Sequence, residues 1–375
     1  MAELFSNVTN ITWQQVVMWV IGGLLIYLAI CRDMEPTLLL PLGFGAILVN
    51  LPFSGAVDQM FDGVLEPGVI DVLFGAGIAN ELFPLLLFIG IGAMIDFGPL
   101  LSNPKLMLFG AAAQFGIFMT CALAALFGFD LKDAAAIGII GAADGPTSIF
   151  VANFLGSKYL GAITVAAYSY MALVPLIQPP VVKLLTTQKE RRIRMPYRQK
   201  DVSRLTKILF PIFITVITGI VSPRSVALIG FLMFGNLIRE CGVLDSLSET
   251  AQKVLSNLVT LFLGITIATK MQASEFLTLE TLTIIALGLF AFVFDTAGGV
   301  LFAKLINLFL PAEKKINPMI GAAGISAFPM SARVVHKMGL REDPENFLLM
   351  HSVGVNVSGQ IASVIAGGLI LNMMG

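Results

Sequence analysis

Charge is the first thing this 375-residue sequence is short of: Asp, Glu, Lys and Arg make up 13% of it, against 57% hydrophobic residues. Soluble domains carry about 25% charged residues, so a water-soluble globule is excluded and an all-α polytopic membrane protein is expected. Cysteine is scarce too. Cys31, Cys121 and Cys241 lie in or beside apolar runs without paired spacing, which argues against a disulfide framework or a thiolate metal site. There is no His/Cys cluster, so zinc or copper is not expected either. A net charge of −1 says nothing useful about nucleic acid, but no basic patch of the kind that binds it appears, leaving membrane lipid as the expected surrounding. No basic region precedes the first apolar stretch, so a cleaved signal peptide is not expected. Asn7-Val-Thr and Asn10-Ile-Thr fit glycosylation sequons, but matches this short arise by chance.

What the chain does have is long apolar runs. They fall at 13–31, 36–52, 81–100, 105–128 and 159–186, then at 207–221, 225–239, 255–270, 281–303 and 346–372. The two shortest sit at the low end of spanning length. Segments 134–155 and 317–330 are apolar but interrupted by Gly, Pro and polar residues. Both read as broken or re-entrant helices, tolerated only where they are buried in protein or line a cavity.

Three blocks recur in order, about 180 residues apart, which suggests an internal duplication. Residues 35–44 parallel 222–231, residues 88–96 parallel 262–270, and Gly141-Ala-Ala-Asp144 parallels Gly321-Ala-Ala-Gly324. The expected division is a first repeat at 1–186, a basic linker at 187–206 and a second repeat at 207–375. Lys189, Arg191, Arg192, Arg194, Arg198, Lys200 and Arg204 place that linker in the cytoplasm, with both termini outside. About five spans per repeat, an odd number, makes the repeats inverted. Inverted repeats with two broken segments meeting near the midplane are a secondary-transporter architecture.

One carboxylate stands where a bilayer tolerates it least. Asp144 lies in Gly141-Ala-Ala-Asp-Gly-Pro-Thr-Ser148, flanked on both sides by uncharged residues. Ionised groups at membrane depth cost at least about 2.5 kcal/mol and mark ion pathways or proton relays. Gly145 and Pro146 are expected to break the helix after the acid and free its carbonyls. A carboxylate, hydroxyls and loose carbonyls suit a hard cation such as Na+, or the acid could carry a proton instead. The polar residues of the broken segments and adjoining spans are Asp144, Thr147, Ser148, Asn153 and Tyr170, then Asn317, Ser326, Ser331, Arg333, Asn356, Ser358 and Gln360. Each has a structural reading beside the functional one. Asp144 could cap the following helix, although a charged cap is a poor choice in so apolar a segment. Tyr170 could be a packing aromatic, Asn356 and Ser358 could join helices, and Arg333 could be a topology anchor. Asp295, inside the span 281–303, could pair with Lys304 or Lys270. His351 is a proton-relay candidate, and His336 reads as a loop residue.

These motifs carry a family resemblance. Gly141-Ala-Ala-Asp-Gly-Pro-Thr-Ser-Ile-Phe150 resembles the signature of the β subunit of sodium-pumping, biotin-dependent decarboxylases. The likeness extends through Gln178-Pro-Pro180, residues 235–242, Asp295-Thr-Ala-Gly-Gly299 and residues 317–333 to Asn356, nearly the whole chain. It implies a bacterial or archaeal plasma-membrane subunit that decarboxylates carboxybiotin and exports Na+. The implied partners are a carboxyltransferase (α) subunit, a biotin carrier subunit, a small single-span membrane subunit and further copies of the β subunit. By the same likeness, Asp144, Tyr170, Ser326 and Arg333 would carry the chemistry, with Tyr170 and Arg333 handling carboxybiotin. Asp144, Asn317, Gly321, Ser326 and Asn356 would handle Na+. Val355 stands where many relatives have proline, and no Met-Lys-Met biotinylation sequence is present, as expected if biotin arrives on another subunit. The reading from residues alone leaves a stand-alone sodium-coupled carrier or Na+/H+ antiporter open, as well as a scaffold that anchors soluble subunits.

Overall fold

The computed structural model describes residues 10–32, 36–61, 64–196 and 201–374. Asn7, Glu35, Arg198 and Lys200 therefore lie outside the described residues. The protein is a helical, multi-pass membrane protein. Five helices are long and apolar enough to cross a bilayer unaided: Trp13–Arg32, Pro104–Leu126, Asp245–Met271, Leu279–Phe309 and Leu349–Met374. Counting each of two bent pairs as one span raises this to seven. Helices also stand at the remaining predicted runs, namely Pro36–Val49, Arg204–Val221 and Val226–Glu240. The 14 residues of Pro36–Val49 reach only about 21 Å, short of a hydrocarbon core of about 30 Å.

Two features depart from the expected spans. Leu160–Leu185 bends by 68° between Met171 and Leu173. Pro175 lies inside this helix, and its ring displaces the carbonyl four residues earlier, which belongs to Met171. Val69–Gly77, missed in the apolar runs, adds a second helix bent by 61° against Leu82–Met94. The all-α expectation also has one exception, an antiparallel hairpin of Gln59–Phe61 and Val64–Glu66.

The helices pack as two groups. In one, Trp13–Arg32, Pro36–Val49 and Leu82–Met94 lie with Arg204–Val221, Val226–Glu240 and Ser256–Ile267. In the other, residues 107–126, the broken segment 131–154 and Leu160–Leu185 lie with Leu279–Phe309, the broken segment 318–342 and Leu349–Met374. Each group thus takes three of its main elements from each half of the chain. Leu349–Met374 runs through the middle of its group, 78% of its apolar window buried, whereas Trp13–Arg32 is 22% buried and peripheral. Outward-facing residues such as Leu126, Leu184, Ile220 and Phe309 are exposed, as a lipid-facing surface requires.

Candidate cation site between the broken helices

The first break is built as follows. Helix Leu131–Gly138 tightens into a 3-10 turn at Ile139–Ala142, which ends because Ala143 adopts a left-handed conformation, φ 53°. That backbone costs a non-glycine residue about 1–3 kcal/mol and persists only where surrounding structure enforces it. Asp144 is extended, and helix Gly145–Phe154 starts immediately after it. The expectation that Gly145 and Pro146 end a helix is thus corrected, since they begin one. Proline is well placed in a first turn, where its missing N–H has no partner to lose. Asp144 occupies the cap position without using its side chain as a cap. Instead its Oδ2 accepts from the Thr147 hydroxyl at 2.6 Å and from Gln360 Nε2 at 2.9 Å. The carboxylate is buried and faces the positive end of the helix it precedes.

The second break has the same outline. A 3-10 turn at Pro318–Gly324 gives way to extended Ile325, then Ser326, and helix Met330–Glu342 follows. The two breaks touch: the Ser326 N–H donates to the carbonyl of Ala142 at 3.4 Å. Leu349–Met374 locks the second break in place. The Asn356 amide donates to the Ile325 carbonyl at 2.6 Å, and the Ser326 hydroxyl donates to the Gly359 carbonyl at 2.9 Å. This approach requires glycine, because a Cβ on Gly359 would lie 2.1 Å from the Gly324 oxygen. Asn356 Oδ1 is buried and has no hydrogen-bond partner among the described residues.

A cavity of about 200 Å³ opens on this junction. Asp144, Pro146, Tyr168, Ser326 and Gln360 form one wall, and Ser256, Asn257 and Thr260 face them from the other helix group. Those three polar residues follow a π-helical turn at Thr250–Leu255. The cavity therefore lies between the two groups, lined by oxygen and amide groups on both sides. It has room for a hydrated or partly dehydrated cation.

The remaining candidates fall in other places. Tyr170 donates its hydroxyl to the Ile285 carbonyl at 2.5 Å and packs on Phe292, away from the cavity. Tyr168 is the tyrosine beside Asp144, lying over Gly145 with its buried hydroxyl unpartnered. Two residues apart on a helix means about 200° of rotation, so only one of these tyrosines can face the acid. Asn317 caps its own 3-10 turn through Met319 N–H and ties down the linker, donating to the Arg191 and Ile193 carbonyls at 2.8 and 2.9 Å. Gly321 crosses Gly299, where a Cβ would lie 2.0 Å from the Gly299 oxygen. Arg333 is exposed in the first turn of Met330–Glu342, its guanidinium without a hydrogen bond or ion pair among the described residues. His351 contacts the linker at the Met195 carbonyl. Asp295 pairs with neither lysine: Lys304 binds the Leu185 carbonyl and Glu190, and Lys270 lies over the Phe74 ring. Gln360 was within reach of sequence reasoning, since it follows Asn356 by one helical turn. Ser256, Asn257 and Thr260 carry a similar signal, three polar residues on one face of an apolar helix.

A profile of the family described as "Na+-transporting oxaloacetate decarboxylase beta subunit" matches residues 14–374. The chain belongs to that family. It is 52% identical to the methylmalonyl-CoA decarboxylase subunit beta of Veillonella parvula, covering 98% of this chain and 95% of the relative. It is 50% identical to the glutaconyl-CoA decarboxylase subunit beta of Acidaminococcus fermentans, covering 99% and 96%. A probable oxaloacetate decarboxylase beta chain of Vibrio cholerae is 44% identical, with 96% of each chain covered. This beta subunit is therefore the membrane decarboxylase component of a sodium-translocating enzyme. The family expectation drawn from its motifs is met along the chain.

Proposed function

We propose that this subunit decarboxylates carboxybiotin presented by a biotin carrier subunit and couples that reaction to Na+ export through Asp144. One observation carries the reading: a buried carboxylate at the contact of two broken helices, opening on a polar cavity between two helix groups. Asp144 supplies the negative charge, held by Thr147 and Gln360. Ser326 and the unpartnered Oδ1 of Asn356 offer further oxygens for Na+. Asn317 and Gly321 support the site from outside it, by fixing the second broken segment.

Carboxybiotin, when presented, supplies the carboxylate whose release as CO2 takes up a proton. Arg333 has the geometry to receive it, being exposed and unpaired, with a guanidinium that can hold a carboxylate through two parallel hydrogen bonds. It stands seven residues after Ser326, so anion binding at Arg333 reaches the cation site through the second break. Na+ export against about 100 mV costs about 2.3 kcal/mol per charge, which the decarboxylation must supply. Alternation follows if one helix group moves against the other around the cavity. The three-plus-three origin of each group supports inverted repeats. The partners are a carboxyltransferase, a carrier subunit, a small membrane subunit and further copies of this chain. The basic linker lies on the cytoplasmic face, as the positive-inside tendency requires.

The test uses the purified complex. Asp144→Asn should abolish Na+-dependent decarboxylation while the carboxyltransferase partner stays active. Undiminished turnover in that variant rejects Asp144 as the coupling group, and Na+ flux through this chain alone, without a biotin partner, favours a stand-alone carrier.

A further inference from the structure

Asp295 takes no part in the site or the mechanism described so far. It lies in the middle of Leu279–Phe309 and is 1% exposed. Both carboxylate oxygens are without a hydrogen-bond partner among the described residues. It is held instead by two contacts that leave no room for a side chain. A Cβ on Gly116 would lie 2.3 Å from Oδ1, and one on Gly141 would lie 2.7 Å from Oδ2. The N–H groups of Gly116 and Ile117 approach without reaching hydrogen-bond geometry, and that of Ile117 is donated to the Gln114 carbonyl at 3.2 Å. Both belong to the first turn of helix Phe115–Leu126, the end that carries partial positive charge. Gly141, on the other side, is part of the 3-10 turn leading into Asp144.

An ionised carboxylate without partners is costly in such a place, and a neutral one much less so. The positive end of helix Phe115–Leu126 offsets part of the charged form's cost. Asp295 is thus set between a protonated state and an ionised state that closes on Gly116 at the start of that helix. The groups around it that bear or acquire charge are few. The broken segment brings Asp144, helix Leu131–Gly138 brings Asp133, which is bound to Ser157, residues 107–126 bring Cys121, and Leu160–Leu185 brings Tyr170 and Lys183. Along its own helix the nearest charged residue is Lys304, held by Glu190.

We infer that Asp295 is a second proton-binding site of the ion path, releasing its proton when a cation occupies Asp144. The inference rests on the sodium reading of Asp144. On release the Asp295 O–H bond breaks, its electron pair stays on the carboxylate, and the proton passes to water. When Na+ leaves, the proton returns. The direction follows from charge: Na+ cancels the negative field of Asp144, which otherwise opposes a second anion nearby. Three Cα–Cα steps separate Gly141 from Asp144, at most about 11 Å of backbone. Unit charges about 10 Å apart at an effective dielectric of about 20 shift a proton equilibrium by roughly tenfold.

Sodium-induced infrared difference spectra of the purified complex test this. Na+ should bleach a carboxylic-acid C=O band and release protons to a pH indicator dye. In Asp295→Asn that band component and its proton release should vanish, and the dye response should fall severalfold. Should that variant fail to assemble, Asp295→Glu serves: the component persists at a shifted frequency. A band unchanged in both frequency and amplitude by either variant overturns the inference while leaving sodium binding at Asp144 intact. A full sodium response in Asp144→Asn instead overturns the reading on which it rests.

Discussion

Replacing Gly359 by alanine tests how tightly the second broken segment must sit on its neighbour. The added Cβ would stand 2.1 Å from the Gly324 oxygen, where ordinary contact begins at 3.4 Å. The two backbones must therefore part by about 1.3 Å. Overpacking of this kind costs about 1–3 kcal/mol. The separation also loosens Ser326 on the Gly359 carbonyl and Asn356 on the Ile325 carbonyl, each worth about 0.5–1.5 kcal/mol. The expected loss of stability is about 2–4 kcal/mol, because these terms overlap. Turnover should fall further, since misplacing a positioned group by about 1 Å can cost about a hundredfold in rate. Gly23→Ala is the control: nothing lies within 4 Å of its added Cβ, and alanine favours a helix. Thermal unfolding of the detergent-purified complex and Na+-dependent decarboxylation give the two readouts. If Gly359→Ala melts and turns over like Gly23→Ala, the argument that this contact positions the site is wrong. If it melts early yet turns over normally, the contact is packing alone and the positioning claim also fails.

Three further outcomes are expected. Tyr168→Phe removes a hydroxyl without a partner, so it should lower Na+-dependent turnover and leave stability alone; Tyr170→Phe should cost about 1 kcal/mol of stability with little effect on Na+ dependence. The reverse pattern would put Tyr170 at the cation site. Arg333→Lys keeps the charge but loses the planar fork, so the carrier concentration needed for half-maximal decarboxylation should rise about tenfold, and equal kinetics would leave Arg333 a topology anchor. The hydrogen bond from Arg194 and its positive charge hold the half-buried Asp343 carboxyl below its usual value of 3.8. A depressed carboxyl stabilises the folded form above that usual value and loses the contribution as pH falls through the lowered one. Protease protection of residues 187–196 should therefore hold from pH 8 down to about 4 and weaken only below it, and Arg194→Ala should weaken it above about pH 4, where the pair is charged. Loss of protection already near pH 6 would mean that other groups hold the linker.

How much could be read beforehand depended on which force set each feature. Lipid imposes long apolar runs, so helices stand where those runs were found, and Gly and Pro marked both breaks. The short helix Val69–Gly77 escaped because nine residues are too few for a spanning signal. The bend in Leu160–Leu185 was written in Pro175, but a proline in an apolar run reads equally as a kink or as nothing. Asp144 and Ser326 could be paired from sequence, because broken segments and their polar residues stand out in a membrane chain. The choice between Tyr168 and Tyr170 could not, since it depends on a helix rotation that only packing decides. Asn317 shows the same limit: its polarity was visible, but its role as a clamp on Arg191 and Ile193 depends on where the linker folds back. For Asp295, pairing with a lysine was one open reading, on the general ground that buried charges have partners. In the fold both lysines are engaged elsewhere.

Equilibrium binding of radioactive sodium to the purified complex, wild type against Asp144→Asn and Asn356→Leu, tests the central claim most directly. Saturable binding should be present in the wild type, absent in the first variant and weakened about tenfold or more in the second, because each removes an oxygen from the junction of the two breaks. Equal saturable binding in all three proteins would show that sodium is held somewhere else.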